Sequence, residues 1–480
     1  MEQNNTPLYD ALVQFAANKP LSFHVPGHKN GMVFPEKAAA HFQSLLELDV
    51  TELTGLDDLH DPTGCIKDAQ TLLSELYEVD ASYFLVNGST VGNLAMLFAV
   101  CKQQDIVLVQ RNCHKSIING LKLIGAKPVF LMPNIDKDAH VPTGVSFESV
   151  EGALLNYPEA KAVVLTHPNY YGMTQDLTSI IQLAHDHFIP VLVDEAHGAH
   201  FGLGFPFPTS AIAYGADVVV QSAHKTLPAM TMGSFLHVNS SLLKREQLAR
   251  SLHMLQSSSP SYPIMASLDL ARYSLAKLKK EGTGELSFFL QYIREELSRI
   301  PQITVIHKQA QDPLKIIIQT KCNLSGYDIQ TILEEKGLYT ELADSYNVLL
   351  VLPLSISSAY IKAVAIIREA LQSFPVVLKG NHEVPLHSSS LFSTLAISYE
   401  EADMWTEQTI PLTEASGQIA AEMILPYPPG VPIVMPGERI EREHIEHIQM
   451  LLEAGAHFQG NTSLDTQSIQ VYGRRKVKSK

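Results

Sequence analysis

Lys225 and Asp194 are the residues of this chain whose setting points most directly to chemistry. Pro190-Val191-Leu192-Val193 is an apolar run that ends in Asp194, and Asp217-Val218-Val219-Val220 leads through Gln221-Ser222-Ala223-His224 to Lys225. Both runs are short, β-branched and almost free of polar side chains, which predicts buried strands of a parallel sheet. Functional groups of such sheets collect at the carboxyl ends of the strands, where these two residues fall. An amine in that position can condense with an aldehyde. A carboxylate can keep a pyridine nitrogen protonated, so that the ring draws electrons from a neighbouring carbon. Together these are what pyridoxal 5'-phosphate asks of a protein. Neither residue is specific alone, because an Asp at a strand end commonly caps the next helix and most lysines are solvated.

Further candidates lie upstream. Ser82-Tyr83-Phe84-Leu85-Val86 predicts another strand, followed by Asn87-Gly88-Ser89-Thr90-Val91-Gly92-Asn93 and the helical pattern Leu94-Ala95-Met96-Leu97-Phe98-Ala99-Val100. A Gly-Ser-Thr turn opening a helix offers backbone N–H groups, the hydroxyls of Ser89 and Thr90, and the positive end of the helix dipole. That combination cradles a phosphate, although it equally describes an ordinary helix cap. Ile106-Val107-Leu108-Val109 leads into Gln110-Arg111-Asn112-Cys113-His114, so His114 also follows a strand end. An imidazole there can stack on a cofactor ring or simply cap a helix. Ala162-Val163-Val164-Leu165 leads in the same way to the turn-rich loop Thr166-His167-Pro168-Asn169-Tyr170-Tyr171-Gly172.

With these motifs in place, the chain resembles the prokaryotic ornithine/lysine/arginine decarboxylases. The resemblance is carried by Phe23-His24-Val25-Pro26-Gly27-His28-Lys29, Gly55-Leu56-Asp57-Asp58-Leu59-His60, the Asn87 to Asn93 and Arg111 to Ser116 segments, Asp194-Glu195-Ala196-His197-Gly198-Ala199-His200 and Ser222-Ala223-His224-Lys225-Thr226-Leu227. Near the far end it continues in Leu425-Pro426-Tyr427-Pro428-Pro429-Gly430-Val431-Pro432 and Pro436-Gly437-Glu438. These occur in the family's order over nearly the whole chain. One departure is Asn169-Tyr170-Tyr171-Gly172, where large members tend to have Thr-Tyr-Asp-Gly.

The resemblance implies an α/β protein with a large domain of the PLP-dependent transferase-like fold (fold type I), built on a mostly parallel sheet, and a smaller C-terminal α/β domain. It implies the shorter form, without a receiver-like wing. It also implies that Ser89, Thr90, Ser222 and His224 hold the cofactor phosphate, that His114 stacks on one ring face and Ala196 packs on the other, and that Asp194 pairs with the ring nitrogen. Lys225 would bind the cofactor covalently, and Lys225 or a neighbouring histidine would return a proton to the α-carbon. The implied reaction is α-decarboxylation of a basic amino acid, arginine or lysine ahead of ornithine, in a homodimer or dimer-based assembly. The His24 to Lys29 and Asp57 to His60 segments are plausible contributors across that interface. A distal cation in a partly buried pocket needs a carboxylate, because an unpaired buried charge costs several kcal/mol. The C-terminal stretch offers Glu422 and Glu438, each of which reads equally well as a surface acid or a cap.

The bulk properties agree. A chain of 480 residues, 45% apolar, has room for two or three domains with a large core. No run is apolar for the roughly 20 residues a membrane helix needs, and the start lacks the pattern of a signal peptide. Four cysteines without metal-ligand spacing predict reduced thiols and a cytoplasmic protein. A formal net charge of −15 argues against a nucleic-acid surface. An arm at 1–51, a cofactor-binding large domain at 52–300 and a C-terminal region at 301–480 are the expected divisions. Helices are expected near 8–17, 264–280, 284–299, 326–336, 359–372 and 442–454, with 257–263 as a loop. The basic tail 474–480 reads as a solvated end.

Other classes fit less well. Asp194-Glu195-Ala196-His197 spells a helicase acidic box, but the dipeptide Gly-Lys of a phosphate loop occurs nowhere in the chain. Asp194 with His197 and His200 could hold a metal, yet no partner motif completes such a site, and no metal is expected. An aminotransferase or side-chain lyase on the same scaffold remains open. Aminotransferases clamp a surviving carboxylate with a small-domain Arg, and no arginine after Arg299 sits in such a motif. A non-catalytic binding protein is the remaining alternative, and the intact Lys225, Asp194 and Gly-Ser-Thr set speaks against it.

Overall fold

The computed structural model describes residues 2–377, 390–427, 430–453, 457–460 and 463–475. Pro428 and Pro429 of the Pro-rich motif, the last residue of the expected helix 442–454, and residues 476–480 of the basic tail lie outside the described residues. The chain divides into two compact units, each discontinuous in sequence: Met1–Val100 with Asp176–Thr283, and Cys101–Gln175 with Gly284–Lys480.

In the first unit four strands lie in the order Ala81–Leu85, Ser234–Val238, Val218–Gln221 and Val191–Asp194. Ser234–Val238 runs antiparallel to both of its neighbours, while Val191–Asp194 and Val218–Gln221 are parallel, with Asp194 opposite Val220. The two expected strand ends are therefore side by side. The helix Gly88–Val100 presses onto these strands through Gly92. A Cβ there would stand 2.8 Å from a methyl of Val220 and 2.7 Å from one of Leu85, so only glycine permits the approach. The helix begins at Gly88 itself, which puts Ser89 and Thr90 in its first turn rather than in a turn ahead of it.

The Gly55 to His60 motif has a local structural role. Asp57, at φ +67°, accepts hydrogen bonds from the backbone N–H of Thr63, Gly64, Ile66 and Lys67, and so caps the helix Cys65–Tyr77. Burial alone would raise its pKa, but these donors hold it below the ordinary value. The helix Pro7–Ala17 is tied to the helix Tyr262–Glu281 by the fully buried Asp269–Arg272 pair, 2.7 Å apart. Asp269 accepts from the N–H of Leu8, and Arg272 donates to the carbonyls of Gln3 and Asn5. The loop expected at 257–263 ends early, because Ser261 caps this helix and Pro263 sits in its first turn, where a missing N–H costs nothing.

In the second unit Ala162–Thr166, Ile106–Gln110 and Lys127–Leu131 are parallel neighbours, and Phe392–Thr394, from far along the chain, joins the edge antiparallel. A separate antiparallel sheet takes Ile303–Ile306, Lys315–Thr320, Asn347–Val351 and Leu342–Ala343 in that order. A third sheet of Trp405–Pro411, Ser468–Arg475 and Ile419–Ala420 belongs to a core with Ile424, Val434, Ile440, Ile448, Ile469 and Val471. The expected C-terminal α/β part is present. No helix of the described residues is long and apolar enough to cross a membrane.

Candidate active site

The first unit gathers most of the candidate residues at the carboxyl ends of its strands. Asp194 is 3% exposed, and its two oxygens are held separately: the amide of Asn93 donates to Oδ2 at 2.8 Å and the N–H of Ala196 to Oδ1 at 3.1 Å. Asn93 lies one helical turn beyond Ser89, so the helix that supplies the hydroxyls also orients the carboxylate. At the mouth of that helix Ser222 Oγ donates to Ser89 Oγ at 2.8 Å, joining the end of one strand to the first turn of the helix. Gly88, at φ +77°, donates its N–H to Met232 O at 3.0 Å. The first N–H groups of a helix have no partner within it and are available to an anion.

Lys225 lies on the single helical turn Ala223–Thr226 that follows the strand Val218–Gln221. Its Nζ is 3.0 Å from Nε2 of His197, a side chain 7% exposed. The neighbouring His224 points its Nδ1 at Gly233 O, 3.0 Å away, so any further contact of this ring is made through Nε2. Ala196 is buried beside Asp194. His200 packs edge-on against Phe201 and Phe207 at 4.9 and 5.1 Å between centroids, apart from the His197–Lys225 contact. Among the described residues no group of three or more His, Cys, Asp or Glu side chains is arranged to hold a metal.

Beneath Asp194 runs a buried polar relay. Glu195, with 0% exposure, accepts from Ser210 Oγ, Ala211 N and the amide of Gln221. Gln221 Oε1 faces His237 Nε2 at 3.2 Å, and His237 Nδ1 faces Ser82 Oγ at 2.9 Å. Because the Gln221 amide nitrogen is turned to Glu195, its oxygen must accept, which makes Nε2 the protonated nitrogen of His237 and Nδ1 the acceptor for Ser82. Burial drives the Glu195 carboxyl up from 4.5 to about 7, against its three donors. Burial also drives the His237 imidazole down from 6.5 to about 3.

The second unit carries His114, Glu422 and Glu438. His114 is the N-cap of the helix Lys115–Ile124: its Nδ1 accepts from Ser116 N at 3.3 Å and lies 2.8 Å from Ser116 Oγ. A ring held this way through Nδ1 carries its proton on Nε2 when neutral. Glu438, one of the two acids considered for a distal cation, is 3% exposed, and Arg111 engages both its oxygens at 2.7 Å. Glu422 Oε1 accepts from Ser463 Oγ at 3.0 Å and Gln470 N at 2.7 Å. In the loop after Thr166, Tyr171 donates its hydroxyl to Asp344 at 2.7 Å and Asn169 donates its amide to Pro142 O.

Sequence reasoning gave no individual role to Asn93 or Arg111, and weighed Glu195 and His197 only as parts of an acidic box and a metal cluster that it set aside. The helical spacing of Asn93 from Ser89 shows that the two share a helix face; the partners of all four residues are set by tertiary packing.

The donor set fits pyridoxal phosphate: an amine, a buried pinned carboxylate, paired hydroxyls and a helix N-terminus follow the carboxyl ends of three strands of one unit. Comparison with known proteins agrees. Residues 6–307 match the description "Orn/Lys/Arg decarboxylase, major domain" and residues 393–475 match "Orn/Lys/Arg decarboxylase, C-terminal domain". The chain belongs to the Orn/Lys/Arg decarboxylase family. Its relatives include the Bacillus subtilis protein YaaO, 47% identical with 98% of each chain covered. An arginine decarboxylase of Bacillus subtilis is 35% identical over 99% of this chain and 100% of its own. Among solved structures, the Francisella novicida lysine decarboxylase LdcF superposes with a TM-score of 0.79 at 19% identity, covering 98% of this chain and 81% of that one. A Sphingomonas wittichii serine palmitoyltransferase superposes with a TM-score of 0.53 at 20% identity, over 72% of this chain and 85% of that one. Likeness at such low identity establishes the shared fold of this decarboxylase family member, and nothing finer.

Proposed function

We propose that this protein is a pyridoxal-phosphate-dependent decarboxylase of a basic amino acid, arginine or lysine ahead of ornithine. The observation that carries the reading is the union, in one unit, of Lys225 with the Asp194–Asn93 pair and the Ser89–Ser222 hydroxyls. Full-length relatives named arginine decarboxylase, at 35% and 33% identity, support the substrate class. Pyridoxal phosphate supplies, when bound, an aldehyde carbon for amines and a pyridinium ring that accepts electrons. Lys225 is the residue to hold it, and His197 beside Nζ is placed to take and return the proton of that amine. Asp194, oriented by Asn93, holds a proton at the ring nitrogen. Ser89, Thr90, Ser222 and His224 would bind the phosphate, and Ala196 and His114 are the residues that would flank the ring. In a decarboxylase the residues around Lys225 must also keep water from the substrate α-carboxylate, since a poorly solvated carboxylate leaves more readily.

The functional division into an arm at 1–51, a cofactor-holding region at 52–300 and a C-terminal region at 301–480 is part of this proposal, as are a cytoplasmic location and a homodimeric or dimer-based assembly. For the assembly, the support is the arm itself, where Leu21, Phe23, Val25, Met32 and Val33 are between 63% and 91% exposed.

The test is a product assay with arginine, lysine and ornithine, following carbon dioxide together with agmatine, cadaverine or putrescine. Carbon dioxide and amine in equal amounts from arginine or lysine is the expected result. Keto acid in their place would make the protein an aminotransferase. Turnover of other amino acids alone would remove the substrate assignment.

A further inference from the structure

Arg111 stands three residues ahead of His114, and all five of its N–H bonds are engaged within the second unit. Nε donates to Pro432 O at 2.7 Å, Nη1 to Ser393 Oγ at 2.8 Å and Glu438 Oε1 at 2.7 Å, and Nη2 to Ile433 O at 3.0 Å and Glu438 Oε2 at 2.7 Å. The guanidinium is 1% exposed and lies 5.6 Å from the centre of the Phe130 ring. Glu438 accepts in addition from Ser393 Oγ at 2.6 Å and Met435 N at 2.7 Å. A planar fork satisfied on every donor has one orientation, which a flexible ammonium could not reproduce.

The short stretch between Arg111 and His114 is itself tied down by hydrogen bonds. Arg111 N donates to Leu131 O at 2.9 Å and Cys113 N to Gln110 O at 3.1 Å, and the His114 ring is fixed as the cap of its helix. The Arg111 to Ser116 segment and the C-terminal motifs that end in Pro432 and in Glu438, which the sequence left without a joint purpose, are thus hydrogen-bonded to one another.

We propose that the Arg111–Glu438 pair is a clasp through which residues 432–438 position the loop carrying His114, and that Glu438 serves this clasp rather than the distal cation of the substrate. Arg111 and Glu438 are positioning residues. The inference rests on the proposed function, in which His114 flanks the cofactor ring.

Arg111→Lys and Glu438→Gln, made in the holoenzyme, test it. Four quantities are read: kcat and KM for arginine and lysine, the visible circular dichroism of the bound cofactor, and the Kd of pyridoxal phosphate for the apoprotein. Both variants are expected to lower kcat by a similar factor, on the order of 10 to 100, which is what a displacement of about 1 Å in a supporting group can cost. KM stays near the wild-type value, the dichroic band changes alike in both, and the double variant is no worse than the weaker single. A Glu438→Gln enzyme with raised KM and unaltered kcat and dichroism, beside a normal Arg111→Lys enzyme, would overturn the clasp and return Glu438 to the substrate. Wild-type values in both variants would overturn it as well. Should a single variant not fold, Arg111→Met with Glu438→Leu replaces the pair by apolar side chains of similar size. That protein must fold with an altered dichroic band and lowered kcat; an unaltered band with full kcat rejects the clasp. A wild-type enzyme that binds no cofactor, or decarboxylates none of the three amino acids, would remove the proposed function instead.

Discussion

At the scale of single residues, Asp194 is the group on which the chemistry depends most sharply. Its oxygens both accept, from Asn93 and from Ala196 N, whereas an amide in its place has one oxygen. The amide can keep the Ala196 bond, must have Asn93 turn its own amide to accept from the new NH2, and cannot hold a pyridinium proton by ion pairing. Asp194→Asn is therefore expected to keep its fold and cofactor and lose most of its activity, at about 1.4 kcal/mol, or tenfold, for each pKa unit lost at the ring nitrogen. Borohydride reduction followed by peptide mapping supplies the control: the reduced cofactor should be found on Lys225 in both proteins. Full activity in the variant, or a label on another lysine, removes the assignment. The placement of these two residues was legible because Asp194 ends one apolar β-branched run and Lys225 closely follows another, a local signal. The contacts that orient them were not. Asn93 meets Asp194 across 101 residues of sequence and Arg111 meets Glu438 across 327, and no local pattern announces such partners.

At the scale of elements, the helix Gly88–Val100 does two jobs because it lies so close to the sheet. Its first turn supplies Ser89, and the next turn supplies Asn93. Gly92→Ala would place a methyl 2.7 to 2.8 Å from Leu85 and Val220, inside contact distance of two buried side chains. Overpacking of this kind costs about 1 to 3 kcal/mol. The expected result is a lower melting temperature together with weaker binding of pyridoxal phosphate, measured by titrating the apoprotein. Loss of stability with unchanged affinity would mean that the helix can shift without disturbing the cradle. The alternation of strand and helix was readable from periodicity. The start of this helix at Gly88 was not, because Gly-Ser-Thr reads as a turn until the packing against Val220 is seen. The edge strand Phe392–Thr394 was equally hidden, since three residues carry no period.

At the scale of the molecule, the exposed apolar side chains of the arm predict association. Sizing at assay concentration should give a dimer or a multiple of one, and Phe23→Asp, which sets a charge on a side chain 91% exposed, should weaken it. A fully active monomer would contradict this. The relay beneath Asp194 has a consequence for the molecule's response to acid. Folding raises the Glu195 pKa from 4.5 to about 7, so its contribution to stability is complete below 4.5 and disappears as the pH rises through 7. Folding lowers the His237 pKa from 6.5 to about 3, so its contribution is complete above 6.5 and disappears as the pH falls through 3. Between about 4.5 and 6.5 the folded protein holds one proton on Glu195 and the unfolded chain holds one on His237, so from these two groups folding neither takes up nor releases a proton. Glu195→Gln leaves His237 uncompensated. Relative to wild type, the variant should lose about 1.4 kcal/mol of stability per pH unit on acidification between about 6.5 and 4.5, and no more than wild type below that, read from urea midpoints at successive pH values. Parallel pH profiles for the two proteins would refute it. The buried carboxyl and imidazole thus act as a proton counterweight: each on its own would tie the stability of the unit that carries Lys225 to mild acid, and together their two dependences cancel between about pH 4.5 and 6.5.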